Sequence, residues 1–486
     1  MLLLSQLLRA LAAQVALIGT TPVIAEEAAA VGLQKQLLVD DLVISKTTGI
    51  RRVLGKVEKR AAPVLSPDRP WEDLAAFGGY STVVRNERSG KFQIWYSAGE
   101  ERGIGYAVSE DGIHWVKPNA APDGKTNLVF HGQGHMSVSL DDHEQDPAHR
   151  YKAAYYGPEV KAALAYSADG IQWTSYNQGQ PVTGRAADTH NQVIWDPFFK
   201  VYRLFTRTDF GDDDASEWRG TRSMTNPDLR ANPSAWTTIR SWKFDREGES
   251  ERWRRQIYAL TLWPYEAVHF ALMSVYEFPP QKLPTPYENK PDYRSRHERD
   301  VMNFYIATSR DGDNWDLSWV YSGMPMVPRG GTGSFDKDMI LPASQIVTWN
   351  DRHWIYYGSS NERHWCSQRR NAIGLATLPI DRLVGLEANV VPGEMVTRPF
   401  KLEGEILEVN VDCRSGQFGV EVLDQWGVPL PGFGRHAQQP YRHLDELRLR
   451  ARWKIEQDLR TLKGQTIRLR FHLSRATLYS FQVREL

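Results

Sequence analysis

Five short stretches of the chain carry side chains able to do acid–base chemistry. They are Glu72 and Asp73 in "WEDLAAFGGY", His131 and His135 in "HGQGHMS", and Arg185, Asp188, His190 and Asn191 in "RAADTHNQV". Arg254, Arg255 and Tyr258 follow in "WRRQIY", and Asp336 and Asp338 in "GSFDKDM". Carboxylates gathered away from water repel one another, so one keeps a proton while another stays ionised. A protonated carboxyl beside an ionised one is what cleavage of a glycosidic bond requires. In this scheme Asp188 is the base or nucleophile and Glu72 the general acid, with Asp336 or Asp338 as a third carboxylate. Arg255, His190, Asn191, His135, Tyr258 and Asp73 position the substrate, the arginine by holding hydroxyls, a carboxylate or a sulfate. Asp188 also suits a turn cap, Glu72 a surface acid and His135 simple filling of space. No metal ion and no cofactor are expected.

These residues need a scaffold that brings distant segments to one place, and the repeats supply it. "YAVSEDGIHW" (Tyr106 to Trp115) returns as "LAYSADGIQW" (Leu164 to Trp173) and "YIATSRDGDNW" (Tyr305 to Trp315). Before each copy lie alternating runs, such as "YSTVV" and "FQIWYS", joined by a polar hairpin. Two worn units complete the series: "HNQVIWDPFFKVYRLFTR" with its sequel, and "QIVTWNDRHWIYYGSS" with "AIGLATLPIDRL". The markers Ser109, Ser167, Ser223, Ser309 and Thr377 step at 58, 56, 86 and 68 residues. Such spacing suits four-stranded blades with loop insertions, so the expected fold is all-β, a five-bladed β-propeller over 35–387. Asp-Gly turns the chain between third and fourth strands, and the tryptophan locks the outer strand to its blade. Inner strands border the axis, and their entry ends share one mouth, where the five stretches converge. Asp142, Asp146 and Asp196 fall on far hairpins as turn formers, with Glu266 a reserve.

From about Glu387 the texture changes to short alternating strands with Gly and Pro turns, read as a β-sandwich over 388–486 without a marked ligand site. The first 25 residues, an apolar run ending Val23-Ile24-Ala25, read as a signal peptide, so the protein is expected to be secreted or periplasmic. With 59 basic and 59 acidic residues the formal charge is zero, which gives no global field toward nucleic acid or anionic membrane. No later segment is apolar enough to span a bilayer. Seventeen Trp, 20 Tyr and 17 Phe suit β-structure and also surfaces that stack on sugar rings. Two cysteines, Cys366 and Cys413, are too few for a disulfide framework; one bridge or two thiols stay open.

The stretches "GGYSTVV", "DDHEQDPAHRYKA", "DTHNQVIWDP", "IYALTLWPYEAVHFAL", "ATSRDGDNW", "GSFDKDM" and "IGLATLPIDRL" together resemble bacterial proteins labelled glycoside hydrolase family 32 N-terminal-like. Those belong near the five-bladed propeller glycosidases of families 32, 43, 68 and 117. The resemblance covers roughly residues 35 to 486. It implies the propeller and an activity on carbohydrate; the leading reading is an exported glycoside hydrolase acting on a plant or algal poly- or oligosaccharide. The invertase motifs Trp-Met-Asn-Asp-Pro-Asn-Gly, Arg-Asp-Pro and Glu-Cys are absent, so no catalytic residue carries over by motif. Three rivals remain: a non-catalytic sugar-binding propeller, a protein-interaction propeller, and a sialidase-like enzyme. The Ser-x-Asp-Gly-x-x-Trp turns run one residue shorter than the sialidase box.

Overall fold

The alternating runs do form strands, and among the described residues helix is confined to short pieces such as Glu249–Arg254 and Ser318–Tyr321. A computed structural model describes residues 26–486 except 100, 123, 133, 185–187, 212–217, 279–299, 365 and 367. The expected signal peptide and Arg185 lie outside the described residues. Among the described residues no helix is long and apolar enough to cross a membrane. Both cysteines are free thiols.

The chain divides into two units, residues 52–386 and residues 26–51 with 387–486. The expected boundary near residue 35 does not match this division. Gln36–Leu37 pairs with Ala476–Arg484, and Ile44–Thr48 pairs with Gly393–Thr397, so the early strands are counted with the late ones.

In the larger unit, sheet one is an antiparallel meander of Ser81–Arg85, Phe92–Gly99, Gly103–Ser109 and Leu128–Phe130. Sheet two repeats it with Met136–Leu140, Tyr151–Gly157, Lys161–Ser167 and Thr174–Ser175. Sheet three has Gln192–Asp196, Val201–Asp209, Arg219–Asn226 and Thr237–Trp242. Sheet four (Arg255–Tyr265, Val268–Glu277, Val301–Ser309) is joined to sheet five through one parallel pair, Met302 with Met339. Sheet five consists of Met339–Pro342, Arg352–Ser360 and Asn371–Pro379, and its outer strand is Glu58–Lys59 from ahead of sheet one. That borrowed strand was not read from the sequence.

The first strands of the sheets touch in order and close on themselves through side chains. Thr82 Oγ1 accepts from the Val138 amide, and Ser139 Oγ donates to the Val193 carbonyl at 2.5 Å. Gln192, buried, accepts from the Leu262 amide at 2.6 Å and donates to the Leu262 and Ser344 carbonyls at 3.0 Å each. Ser344 and Thr82 hydroxyls meet at 2.7 Å, completing the circuit. This explains why the inner strands "STVV", "MSVSL" and "QVIWD" carry hydroxyl and amide residues in a buried place. Their free edges hold backbone groups that must be paired, and side chains of a preceding sheet pair them.

The Asp-Gly turns do more than reverse the chain. Asp111 Oδ1 accepts from the Ile113 and His114 amides, and Ser109 and Gly112 (φ 72°) complete the turn. Each turn then presses on the preceding sheet. Gly112 offers its carbonyl to Tyr356 Oη of sheet five at 2.8 Å, and Gly170 offers its own to Trp95 Nε1 of sheet one at 2.6 Å. Arg203 of sheet three donates to the Asp311 carbonyl at 2.7 Å and to Asp313 at 3.0 Å. The turns are therefore clasps between sheets, an extension of the expected local role. Trp115 likewise packs edge-on to Tyr356, 6.0 Å between centroids.

At the far hairpins, Asp196 accepts from the Phe198 amide and caps Arg203 and His269, while Asp146 caps Ala148. Asp142 is exposed. Its neighbour Asp141 forms the turn there, accepting from the His143 amide and pairing with Lys152 at 2.7 Å. Glu266 sits in a tight turn at φ 46°.

In the smaller unit one sheet orders Gly393–Thr397, Thr466–Ser474 and Gln417–Asp424, and another orders Ala476–Arg484, Ile406–Asp412 and Asp445–Arg450. Phe471 and Phe481, one from each sheet, meet at 5.6 Å.

Candidate active site

Five side chains stand at or next to the entry ends of first strands. Tyr80 precedes Ser81, His135 precedes Met136, His190 and Asn191 precede Gln192, and Tyr258 lies three residues past Arg255. They converge. The Tyr80 ring lies 4.5 Å from His135, 5.6 Å from His190 and 6.2 Å from Tyr258. The hydroxyls of Tyr80 and Tyr258 are hydrogen-bonded to each other. Tyr258 stacks edge-on with Tyr276 at 4.8 Å, and His364 lies 6.1 Å from Tyr258.

Asp188 belongs to this group. Its carboxylate, 40% exposed, receives the Arg207 guanidinium at 2.7 Å. Another edge of the same guanidinium grips Asp209 at 3.1 and 3.3 Å. Arg207 is thus a planar fork held on one side, presenting its remaining nitrogen to Asp188. Asn191 is spoken for: its Oδ1 accepts from Thr206 at 2.7 Å and its backbone carbonyl from Ser137.

The two histidines are uncharged at neutral pH. Burial, then the charge of Arg207, lowers His135 to about 4. Burial, then His135 itself, lowers His190 to about 3. His135 Nδ1 and His190 Nε2 have no hydrogen-bond partner among the described residues. Burial and the paired hydroxyl push Tyr80 well above its ordinary value, and burial raises Tyr258. His131 and His135 stand four apart ahead of the strand Met136–Leu140, with His131 exposed and His135 buried.

The other expected carboxylates sit in different surroundings. Glu72 has a fully buried side chain whose oxygens accept from the Asp68 and Arg69 amides, Tyr96 Oη at 2.7 Å and Lys117 Nζ at 2.8 Å. Asp73 caps the Ala75 amide. Asp336 is buried against Lys59 Nζ at 2.6 Å and Tyr357 Oη at 3.0 Å. Asp338 precedes the first strand of sheet five, so by register it belongs at the same end as Tyr80 and His135. Its nearest cations are Lys337 at 3.4 Å, Arg363 at 3.5 Å and Arg329 at 3.8 Å. Arg255 is buried with Glu251 at 2.9 Å and donates to the Val320 carbonyl. Arg255, Glu277, Arg329 and Asp338 line a cavity of about 900 Å³.

Sequence reasoning missed Tyr80, Arg207 and Asp209. Tyr80 was available by register, because it holds in "GGYSTVV" the place that His135 holds in "GHMSVSL". Arg207 and Asp209 lie at the end of a second strand, which its antiparallel pairing with the first strand (Phe205 opposite Gln192) brings back to the mouth.

No family model matches the chain, and no curated protein matches it. Among its structural neighbours are glycoside hydrolases. A glycosyl hydrolase from Bacteroides ovatus aligns over 68% of this chain and 96% of its own, at 14% identity and a TM-score of 0.43. A thermostable family-43 glycoside hydrolase aligns over 63% and 90%, at 11% identity and 0.43. A Schwanniomyces occidentalis fructofuranosidase variant complexed with fructosylnystose aligns over 87% and 97%, at 10% identity and 0.37. Likeness at this level assigns neither an activity nor a residue role.

Proposed function

We propose that this protein is an exported glycoside hydrolase, a five-bladed β-propeller followed by a β-sandwich, acting on a plant or algal poly- or oligosaccharide. The observation that carries the reading is Asp188: a half-exposed carboxylate, aimed by Arg207, beside aromatic and imidazole rings from four separate sheets. Aromatic faces bind the C–H faces of sugars, and His135 and His190 stay neutral beside them. Asp188 acts as base or nucleophile toward the anomeric carbon or its attacking water. The second carboxyl is Asp338, which shares the register of the mouth. Glu72 and Asp336 serve the scaffold instead, since each has its oxygens committed to a lysine and a tyrosine.

The test is a glycan panel with wild type and Asp188→Asn. The expected result is hydrolysis of at least one glycan, with kcat in the variant lower by about 10³-fold or more and an unchanged melting temperature. Wild-type rates in the variant would remove Asp188 from the mechanism. Tight glycan binding by wild type with no cleavage of any glycan would favour the capture reading, which the committed ion pairs of Glu72 and Asp336 also suit.

A further inference from the structure

The outer edge of the smaller unit carries a second feature. The segment "RLRARWK" runs from Arg448 to Lys454, beginning in the strand Asp445–Arg450 and continuing past its end. Burial alternates along it. Ala451 and Trp453 are each 2% exposed, while Arg448, Arg450, Arg452 and Lys454 face solvent. The inward members are anchored: Ala451 N donates to the Leu407 carbonyl and Trp453 Nε1 to the Val420 carbonyl. Strand geometry then sets four cations on one side, about 6.5 to 7 Å apart over roughly 20 Å. Among the described residues the strand pairs only with Ile406–Asp412 and ends its sheet.

Opposing charge is thin around Arg450, Arg452 and Lys454. Glu408 lies 3.8 Å from Arg450 but already holds Arg484 at 3.0 Å. Arg452 and Lys454 have no acidic partner within 4 Å among the described residues. The cations border a shallow dish of about 640 Å³ whose other lining includes Gln439, Gln457 and Glu446. A row of like charges is costly to keep together unless something anionic lies across it.

We propose that this ridge binds an anionic polysaccharide, a chain of sugars bearing regularly spaced sulfate or carboxylate groups. Guanidinium forks match either anion, and the amides and Glu446 match sugar hydroxyls. A nucleic acid is the poorer fit. Trp453 is buried, so it offers no face for a base to stack on. The inference rests on the carbohydrate reading above for its choice of polymer, and it makes the smaller unit the part that holds the polymer.

The experiment measures binding of the full chain to dextran sulfate, polygalacturonate and neutral dextran, at low and high salt. The variant carries Arg448→Ser, Arg452→Ser and Lys454→Ser together; Lys454→Gln alone is the fallback if the triple change fails to fold. The ridge predicts binding to at least one charged polymer, weakened at least tenfold by high salt and at least tenfold by the triple variant (severalfold by the single one). Preference between the two charged polymers identifies the anion. Unchanged affinity in the variants, equal binding to neutral dextran, or tighter binding to duplex DNA would overturn it. Cleavage of a small soluble glycan stays at the wild-type rate in the variants. Lost ridge binding with intact Asp188-dependent cleavage, or the reverse, separates this inference from the proposed function.

Discussion

Asp188 is poised because its neighbours are fixed. Arg207 cannot swing away while Asp209 grips its other edge, so the carboxylate is aimed without a bond to any other acid. His135 and His190 add a cost that depends on pH. In the unfolded chain each has an ordinary imidazole value near 6.5; in the fold they fall to about 4 and about 3 because burial penalises the cation. Below about 6.5 the unfolded chain therefore takes up protons that the folded one refuses. Stability is complete above that pH and drains away as the pH falls toward 4 for His135 and 3 for His190, by ~3 kcal/mol for His135 once fully titrated. Melting temperature against pH in wild type, His135→Gln and His190→Gln tests this. Each variant should show a shallower loss between pH 6.5 and 4, and parallel curves would mean the imidazoles are not responsible. The site was half legible in sequence. Residues just ahead of inner strands were found by register, because strand order alone brings them together. The locking of Glu72 was not legible, because Lys117 arrives from 45 positions later and nothing in "WEDLAAFGG" announces it.

At the scale of elements, the Asp-Gly turns show one short sequence doing two jobs. Asp111, Asp169 and Asp311 close the turn on their own following amides, which any reader of the motif expects. Gly112, Gly170 and Gly312 then face a bulky residue of the sheet before. A Cβ at Gly170 would stand 2.5 Å from the Trp95 ring, and its φ of 77° already excludes most side chains. Gly170→Ala should cost about 2 to 4 kcal/mol, combining left-handed strain with displacement of a buried ring. Chemical denaturation reads this directly, and Trp95 fluorescence should shift with it. A change under about 0.5 kcal/mol would mean the clasp is loose. The strands and turns were legible because alternation and Asp-Gly are local signals. The clasps were not, since their partners sit on other repeats, and neither was Glu58–Lys59, a two-residue strand too short to alternate.

For the larger unit as a whole, the question is what keeps its sheets together around their first strands. Hydrophobic clusters fill the gaps between neighbours; one joins Phe77 and Phe92 of the first repeat to Tyr356 and Ile373 of the last. At the inner strands this gives way to polar contacts, because exposed strand edges face one another there. Gln192 is the side chain that ties three sheets, taking both backbone groups of Leu262 and the Ser344 carbonyl while nearly free of solvent. Replacing it by leucine keeps the volume but orphans one amide and two carbonyls in a buried place. Each unsatisfied group costs about 1 to 3 kcal/mol, so Gln192→Leu should lose roughly 3 kcal/mol or more. Gln192→Glu should lose less near pH 5 than at pH 8, since a protonated carboxyl can still donate while an ionised one only accepts. Urea unfolding of the three proteins at both pH values decides it. Wild-type stability in the leucine variant would mean that the ring is closed by apolar packing alone and that its polar circuit is incidental.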